Sequence, residues 1–402
     1  MHRLFFLAGL FATLAHAQDV PLPSPEPKPI PVASGAAGKN YLNISLDGLI
    51  AVGASTEPDV PGLETGGHDP AQRGFTVQNV EVVFDGAVDP YFRGQANVVL
   101  QVDADGNTNV ELEEAYAVTT SLPKGLQVKA GQYLTEFGRI NPTHPHSWDF
   151  VDQPLVSGRM FGGDGLRSVG ARVSWLMPAP FYSELMLSAQ NAKGETATSF
   201  GGVEGDVMFG RPLDPDDVKS MGDLLYVPRY DASFDIGDTQ TMVLGASGAF
   251  GPNGTGPDAD TAIGGIDILW KWKSARADKG FPFVKVQAEA MARSYDAAAT
   301  ATLPEATFHD HGAYAQVVWG IKPMWTVGAR YDTTGGDVGD DPLDPRFEPR
   351  QRASLEGTWY PSEYSRLRLQ YAYDKREGGF TDANSLWVQF EFLLGAHAAH
   401  KF

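Results

Sequence analysis

The sequence contains no cysteine, so neither disulfide bonds nor thiol chemistry contributes to its stability or function. Basic residues are also scarce, with 31 Lys and Arg against 50 Asp and Glu, for a formal net charge of −19. This balance argues against a nucleic-acid-binding protein, whose contact surface needs clustered lysine and arginine. No apolar run reaches the roughly 20 residues that a membrane-spanning helix requires. The chain is instead rich in glycine, with 45 residues, and 11% of it is aromatic.

The first residues, MHRLFFLAGLFATLAHA, have the features of an export signal. They combine a short basic start, an apolar run at positions 4–14 and a small-residue cleavage pattern ending at Ala17. This pattern predicts a secretory signal peptide at 1–17 that is absent from the mature chain. The stretch 18–40 is rich in Pro, Ala and Gly, which favours an extended periplasmic leader. The alternative for this stretch is a disordered terminus without a role.

From Tyr41 onward, apolar and polar residues alternate with a period of two, the pattern of strands with one apolar face. In the clearest segment, 91–103, the even positions such as Val98 are apolar or glycine and the odd positions such as Asn97 are mostly polar. We therefore expect Val98 to face lipid and Asn97 to face water. The predicted strands are 41–52, 75–86, 91–103, 108–120, 126–137, 166–177, 181–192, 229–237, 240–250, 261–273, 283–295, 312–320, 325–333, 350–360, 365–374 and 384–394.

The connections between these sixteen segments alternate in length. Short links alternate with long, acidic, Gly- and Pro-rich links, and aromatic residues cluster beside the short ones. This arrangement predicts an all-β fold: a transmembrane antiparallel β-barrel of about 16 strands in residues 41–402, with short periplasmic turns and long outer loops. The long links are 53–73, 138–165, 193–228, 251–260, 296–311 and 334–349. The aromatic residues of the predicted periplasmic girdle are Trp175, Phe181, Tyr182, Trp270, Trp272, Phe281, Phe283, Trp319, Trp325, Trp359, Tyr360 and Tyr364.

The link at 138–165 is long and aperiodic, and such loops are usually functional. It also carries apolar residues that a solvated loop would not need. We therefore predict that it folds into the lumen and constricts it. The apolar residues are Trp148, Phe150, Val151, Leu155, Val156, Met160 and Phe161. The charged residues expected at the narrowest point are Arg139, Asp149, Asp152, Arg159 and Asp164.

Strand parity predicts which charged residues line the pore. The basic residues of this set are Arg93, Lys129, Arg172, Arg330, Arg352, Arg366 and Arg368. The acidic residues are Glu111, Glu113, Asp231 and Asp267. The last four arginines fall on three consecutive predicted strands and could form a basic stripe that sets ion selectivity. The alternative is that they are merely a solvated part of the wall.

Glu114 departs from this parity, because it shares the face of Leu112 and Tyr116 and would point into lipid. A carboxylate facing lipid is costly near the middle of the membrane. Either a bulge at Glu113 or a contact between subunits would resolve the conflict.

Two histidine pairs, His144 with His146 and His309 with His311, raise the question of a metal site. Without further ligand spacing they are weak candidates, so solvated loop histidines are favoured and we predict no metal site and no cofactor. The acidic loops could also bridge lipopolysaccharide through Ca²⁺ or Mg²⁺, although plain solubility explains them equally well. The acids are Asp214, Asp216, Asp217, Asp337, Asp340, Asp341 and Asp344.

The run VELEEAYAVTTSLPKGLQVKAGQYLTEFGRINPT, followed after the long link by GLRSVGARVSW, resembles the phosphate-selective porin O and porin P family. The matching features include Glu113–Tyr116, the Gly131-Gln132 strand end and Gly165-Leu166-Arg167, and the similarity is most specific over 91–177. The resemblance implies a sixteen-stranded, trimeric outer-membrane channel whose third outer loop constricts the pore. Family members selective for phosphate concentrate Lys and Arg along the pore, whereas this long link offers two arginines against three aspartates.

These observations together predict an outer-membrane porin of a Gram-negative-type bacterium. It would pass small hydrophilic solutes, with a preference for anions such as phosphate, and would contact outer-membrane lipid and lipopolysaccharide. The alternatives are a general or cation-preferring diffusion porin, a barrel-borne outer-membrane enzyme and an exported soluble β-protein. The enzyme is disfavoured because Gly-x-Ser-x-Gly is absent and no serine or paired aspartates accompany a histidine at a strand end. The chain also ends on Phe402, as barrel assembly signals do, although Phe392 at the end of the last strand could serve instead.

Overall fold

A computed structural model describes residues 41–103, 105–337 and 347–395, together with the backbone of 33–34. The predicted signal peptide, most of the predicted leader and Phe402 lie outside the described residues. Three of the acids proposed to bind divalent ions lie outside them as well: Asp340, Asp341 and Asp344.

Sixteen long strands form one antiparallel sheet. In chain order they are β1 (Tyr41–Ser55), β2 (Gly74–Ala87), β3 (Phe92–Val102), β4 (Thr108–Thr119), β5 (Leu126–Leu134), β6 (Arg167–Leu176), β7 (Tyr182–Asn191), β8 (Leu224–Asp235), β9 (Gln240–Pro252), β10 (Asp260–Asp278), β11 (Phe281–Ala297), β12 (Ala306–Lys322), β13 (Trp325–Gly336), β14 (Arg350–Ser362), β15 (Ser365–Arg376) and β16 (Ala383–Gly395). In the part of the chain that the structure describes, two helices lie in the connections: α1 (Val60–Leu63) and α2 (Leu155–Phe161). The remaining elements are 3-10 turns at Pro123–Gly125, Pro145–Ser147 and Met221–Asp223, and two-residue strands at Ala33–Ser34, Val207–Met208 and Arg211–Pro212.

The sheet closes on itself, because β16 pairs with β1 from Ser385 opposite Ser55 to Gly395 opposite Ser45. Closure satisfies the main-chain hydrogen bonds of both edge strands, which an open sheet would leave unpaired. The predicted fold class, a closed sixteen-stranded antiparallel barrel, is confirmed. Within the described residues, no helix has the length and apolar character needed to cross a membrane.

Each predicted strand corresponds to an observed one, and the bounds differ most at the starts of β8 and β12 and at the end of β10, which was predicted at 273 and lies at Asp278. The prediction for β8 begins at 229, whereas the strand begins at Leu224. Pro228 lies inside this strand, and a proline normally marks a strand boundary because it cannot donate to the ladder. The prediction for β12 begins at 312 instead of Ala306, because the polar residues at 309–311 hide the alternation.

Short turns connect the strands at one end of the barrel, which we call the turn end. Longer connections collect at the other end, the loop end, although the links at 103–107 and 377–382 are short as well. Most of the predicted girdle residues at the turn end are at least partly exposed on the outer wall, including Trp325 and Trp359, whose rings stack 6.0 Å apart. Phe281 and Phe283 are exceptions: they are buried against Val318 on the inner face, so they do not belong to the girdle.

Side chains along β3 alternate between the outer and the inner face, as predicted. Val98 is only half-buried, whereas its neighbour Asn97 is buried. Asn97, however, does not face open water. Its side chain donates to the Glu81 carboxylate and lies against His144 of the long link, so the link covers it. The largest buried apolar cluster combines this link with inner-wall residues, and the hydrophobic core of the barrel therefore lies in its lumen.

Within the described strands, β-bulges interrupt the alternation in β2 and in β4, the two strands on either side of β3. In β4, Asn97 pairs with Glu114 but Val98 pairs with Leu112, which leaves Glu113 as the extra residue. The bulge at Glu113 suggested by the sequence is thus confirmed, and it turns both Glu113 and Glu114 inward, where both are buried. In β2 the extra residue is Gln78, since Leu49 pairs with Asn79 and Ile50 with Val77.

Candidate functional site: the loop inside the barrel

The connection between β5 and β6, residues 135–166, lies in the lumen, and we call it the inner loop. Its helix α2 follows Pro154 and ends at Gly162, whose φ of 81° is a left-handed conformation that glycine adopts without strain. The Leu155 amide, which lacks a partner within the helix, donates instead to the Asp332 carboxylate of β13 at 3.2 Å. The wall of the barrel thus caps the helix.

Apolar side chains bury the inner loop against the wall. Phe137 and Phe161 meet edge to face with ring centroids 5.0 Å apart, and they pack with Ile263, Met291 and Tyr314 of the inner wall. Burying side chains of this size contributes about 1.5–3 kcal/mol each. All seven apolar residues that the sequence singled out are buried, as expected: Trp148, Phe150, Val151, Leu155, Val156, Met160 and Phe161.

Asp152 is the most heavily bonded charged group of the inner loop. Its carboxylate accepts from Arg330 Nη2 at 2.8 Å, from Arg352 Nη1, and from Gln370 Nε2 at 2.5 Å. Burial raises the pKa of Asp152, but the guanidinium groups of Arg330 and Arg352 lower it by a larger amount. The pKa therefore falls to about 2. Asp152 is 1% exposed, so it anchors the loop to β13–β15 instead of facing the narrowest point of the pore.

Arg159 is a second anchor. Its Nε donates to Asp310 at 2.8 Å, and Arg293 donates to the same carboxylate at 2.6 Å. Arg159 Nη1 also donates to the main-chain oxygen of Glu348 at 3.2 Å. Like Asp152, Arg159 is buried in contact with the wall, which corrects the expectation that it lines the constriction.

The predicted basic stripe lies beneath the inner loop. Arg368 donates to the main-chain oxygens of Phe150 at 3.0 Å and Trp148 at 2.9 Å, and Arg366 forms an ion pair with Glu391. Arg330 and Arg352 hold Asp152, as described above. The four arginines are at most 3% exposed, so they are not a solvated part of the wall. Their effect on ion selectivity stays a prediction.

Three predicted constriction residues keep contact with solvent. Arg139 lies 3.8 Å from Asp267 with 22% of its side chain exposed, and Asp164 lies 3.8 Å from His68 with 32% exposed. Asp149 accepts from Lys285 Nζ at 2.6 Å with 18% exposed. These residues could meet a passing solute, and their place at the narrowest point stays a prediction.

The other predicted pore-lining residues are paired. Arg93, on β3, lies 3.5 Å from Asp85 and is 53% exposed at the turn end. Lys129 and Arg172, on β5 and β6, both bind the single carboxylate of Glu136.

Farther into the barrel, Arg229 holds both Asp231 and Asp267, with shortest distances of 2.6 and 2.8 Å. Glu111 forms an ion pair with Arg167. The predicted lumen charges are thus mainly paired with oppositely charged residues of the wall or of the inner loop, and only a minority are open to solvent.

Glu113 belongs to a cluster of acids around His144. His144 Nδ1 lies 2.9 Å from Glu113 Oε2 and 3.5 Å from Glu81 Oε1, while its Nε2 lies 3.0 Å from Glu114 Oε2. Burial lowers the pKa of His144, but the surrounding carboxylates raise it by more, so it lies well above its usual range.

The two histidine pairs therefore differ. His146 Nδ1 lies 3.2 Å from Glu81 Oε2, and only 13–14% of the His144 and His146 side chains is exposed. The expectation of solvated loop histidines is wrong for this pair, because the inner loop carries it into the lumen. His309 and His311 are exposed, as expected, but they lie on strand β12 and not in a loop.

A second loop, 56–73, enters the barrel beside the inner loop. Asp69 accepts from the main-chain amides of Gly66 at 2.8 Å and Gln153 at 2.9 Å, and so joins the two loops. Burial, followed by the nearby charges of Asp152 and Glu64, raises the pKa of Asp69 to about 8. Glu64 in turn binds Arg352 at 2.6 Å.

Sequence reasoning treated the loop at 53–73 as solvated and missed its role. A signal was present in Val60 and Leu63, two apolar residues in an otherwise acidic and glycine-rich loop. Both are buried. The partners Asp310 and Gln370 carried no signal, because polar residues on the inner face of a barrel are expected whether or not a loop binds them.

A search of protein-family models finds no match for this chain. A protein of Aquifex aeolicus (strain VF5), described as uncharacterized, is 33% identical in an alignment of 379 residues that covers 86% of this chain and 75% of that protein.

Solved structures with a similar fold are outer-membrane channels and porins at low sequence identity. The outer-membrane channel DcaP of Acinetobacter baumannii has a TM-score of 0.56 at 13% identity, covering 90% of this chain and 99% of DcaP. An anion-selective porin from Comamonas acidovorans has a TM-score of 0.54 at 9% identity, covering 89% of this chain and all of the porin. The trimer form of OmpT, an outer membrane protein of Vibrio cholerae, has a TM-score of 0.53 at 8% identity over 89% of this chain and all of OmpT. These similarities show that the fold is that of the outer-membrane porins.

Proposed function

We propose that this chain, which belongs to one family with the uncharacterized Aquifex aeolicus protein, is an outer-membrane channel for passive diffusion of small hydrophilic solutes. One observation carries the proposal: a closed sixteen-stranded barrel has charged and polar residues on its inner face and a folded loop inside. A barrel of this strand number is wide enough for an aqueous channel. A loop bonded to its inner wall narrows that channel and makes passage selective.

We further propose a preference for anions such as phosphate. On the turn side of the inner loop, Lys129 Nζ lies 2.5 Å from Glu136, and Arg172 binds the same carboxylate. Two cations therefore share one anion, and a positive charge is left over. Both basic side chains are partly exposed, at 13% and 9%.

The same arrangement recurs on β10 and β11. Lys271 and Lys285 are cross-strand neighbours, and Asp149 of the inner loop binds Lys285 at 2.6 Å. Lys271 Nζ lies 5.2 Å from the centre of the Phe283 ring. Excess positive charge along a pore wall lowers the barrier for anions. These two places favour anions, although the chain as a whole is acidic.

The test is conductance of the purified protein in planar lipid bilayers under a KCl gradient. Single-channel steps are expected, with a reversal potential that indicates anion preference. Replacing Lys129 and Lys285 by glutamine should shift the reversal potential toward cations. The control is Lys219→Gln. Lys219 forms an ion pair with Asp216 in an outer loop, and its side chain is 68% exposed.

The outcomes distinguish the alternatives. An unshifted reversal potential in the double variant contradicts the anion proposal and leaves a general diffusion porin. Cation preference in the wild type supports the cation-preferring alternative. A folded protein without conductance contradicts the channel itself and returns attention to a barrel-borne enzyme.

We also propose that the protein resides as a homotrimer in the outer membrane of a Gram-negative-type bacterium, after cleavage of the signal peptide at Ala17. An apolar groove of about 510 Å³ on the outer wall offers a contact surface for a second copy. Small residues on neighbouring strands, including Ala290 and Ala313, form its floor, and Ile266 and Tyr331 flank it. Light scattering in detergent and outer-membrane fractionation test these proposals. A wild-type protein that is monomeric in detergent, and whose oligomeric state Ala290→Trp does not change, would contradict the trimer.

A further inference from the structure

The acids around His144 have a geometry that their role in holding the inner loop does not explain. His144 Nδ1, Glu113 and Glu81 each offer one ligand atom, and these atoms lie within 4.8 Å of one another. Glu81 is fully buried and Glu113 is 3% exposed. Three carboxylates, those of Glu81, Glu113 and Glu114, surround the His144 imidazole. Two further imidazoles lie beside them: His146 is 3.2 Å from Glu81, and His68 is 3.6 Å from Glu113. The cluster thus combines carboxylate oxygens with imidazole nitrogens, which are ligands of divalent transition metals.

The distances match the coordination shell of a metal ion. A tetrahedral ion with bonds of about 2.0–2.1 Å separates its ligand atoms by about 3.3 Å. Glu113 Oε2 and Glu81 Oε1 lie 2.9 and 3.5 Å from His144 Nδ1, on either side of this value. Although they are close, neither His144 Nδ1 nor Glu113 Oε2 has a partner in hydrogen-bonding geometry among the described residues.

The surroundings orient His144 as metal sites usually do. A metal-bound histidine commonly donates its other ring N–H to a carboxylate, which fixes the tautomer. Here Nε2 lies 3.0 Å from Glu114 Oε2, and a bound ion would replace the proton on Nδ1, which faces Glu113 and Glu81. Glu114 is itself held in place, because Glu114 Oε1 accepts from the Leu134 amide at 3.0 Å.

The bulge in β4 builds this arrangement. In a regular strand, Glu113 and Glu114 would point to opposite faces. The extra residue turns both inward, one as a ligand and the other as the partner of the ligand histidine. Bulges that re-aim a side chain are over-represented next to functional sites.

We propose that His144, Glu113 and Glu81 bind a divalent transition-metal ion such as Zn²⁺ in the lumen, with His146 beside Glu81 as a candidate fourth ligand. Nitrogen and carboxylate ligands suit this class of ion. The ion would link the inner loop to β2 and β4. The site depends on the fold and not on the proposed channel function.

The experiment measures metal binding directly, so that its outcome is independent of conductance. Purified protein is freed of metal with a chelator and titrated with Zn²⁺ by calorimetry, and bound metal is counted after dialysis. One tightly bound ion per chain is expected. Glu113→Gln keeps the size of the side chain but removes its charge, and it should weaken binding by about 100-fold or more, whereas Glu114→Gln should weaken it about 10- to 100-fold.

The matched control is the second His-x-His sequence of the same chain. His309 and His311 are exposed, and replacing both with alanine should leave the affinity unchanged. Binding that is lost in this control but kept in Glu113→Gln would place the ion at the surface and overturn the proposal. Absence of saturable binding to the wild type would overturn it as well.

Heat-modifiable migration confirms that each variant is folded. Should Glu113→Gln fail to fold, Co²⁺ bound to the wild type provides an independent measurement, because its visible absorption differs between a nitrogen-ligated site and an aqueous ion. An aqueous spectrum would contradict the site without the use of any variant.

Discussion

Replacing Asp152 with asparagine should release the inner loop. The variant keeps the size of the side chain but loses the negative charge that binds Arg330 and Arg352. Each hydrogen bond to a charged group contributes about 1.5–3 kcal/mol. Two such bonds amount to about 3–6 kcal/mol, in line with the roughly 3–5 kcal/mol lost when a buried ion pair is broken. Solvent does not weaken these two bonds, because Asp152 is 1% exposed.

Each 1.4 kcal/mol is about a tenfold change in an equilibrium constant, so the released state should gain about two to four orders of magnitude in relative population. Single-channel recordings should therefore show frequent steps to a larger conductance in Asp152→Asn. The control is Asp164→Asn in the same loop, whose carboxylate is 32% exposed and 3.8 Å from His68. The loss of such a pair costs less than about 1 kcal/mol. Recordings of folded Asp152→Asn that match wild type would refute the view that Asp152 anchors the loop.

Three further predictions test the wall, the loop and its response to pH. Val98→Arg puts a charge in lipid at a cost of about 2 to 4 kcal/mol near the midplane, whereas Gln95→Arg, on the inner face, should be tolerated; equal losses of heat-modifiable protein would overturn the register. Excising residues 141–162 should leave a folded barrel with several-fold larger conductance and weaker selectivity, and an unchanged conductance would place the loop outside the conduction path. Folding raises the pKa of Asp69 from 3.8 to about 8, so its contribution to stability is complete below about pH 3.8, is lost progressively as the pH rises to about 8, and changes little above that. Conductance fluctuations should therefore increase between pH 5 and pH 8 in the wild type but not in Asp69→Asn, and the same increase in that variant would exclude Asp69 as the titrating group.

The sequence was sufficient for the wall of the barrel, because lipid on one side and polar contacts on the other impose a period of two on every strand. It also predicted that the inner loop is buried, since residues such as Val156 and Met160 have no reason to lie in a solvated loop. The bulge at Glu113 could be suggested only because a carboxylate would otherwise have faced lipid. The bulge at Gln78 produced no such conflict and was missed.

The contacts of the inner loop could not be predicted. Parity places Arg330 and Arg352 in the lumen but does not say that Asp152, at least 178 positions earlier in the chain, binds them. Asn97 was expected to face water for the same reason, since the pattern of a single strand carries no information on what covers its polar face. The partners of lumen residues depend on the path of the loop, which many weak contacts determine together.

The position of the inner loop has a consequence for the order of assembly. Its Val151 amide donates to Gln370 on β15, and its Gln153 amide donates to Asp69 in the loop 56–73, which connects β1 and β2. The segment thus joins the first strands of the chain to strands that are synthesised last, and contacts so distant in sequence form slowly. It can complete its bonds only after β13–β15 are in place, and its Val151 packs against Trp387 of β16, the strand that closes the barrel on β1. Barrel closure and loop docking are therefore coupled, and a variant that weakens the loop should slow assembly of the whole barrel.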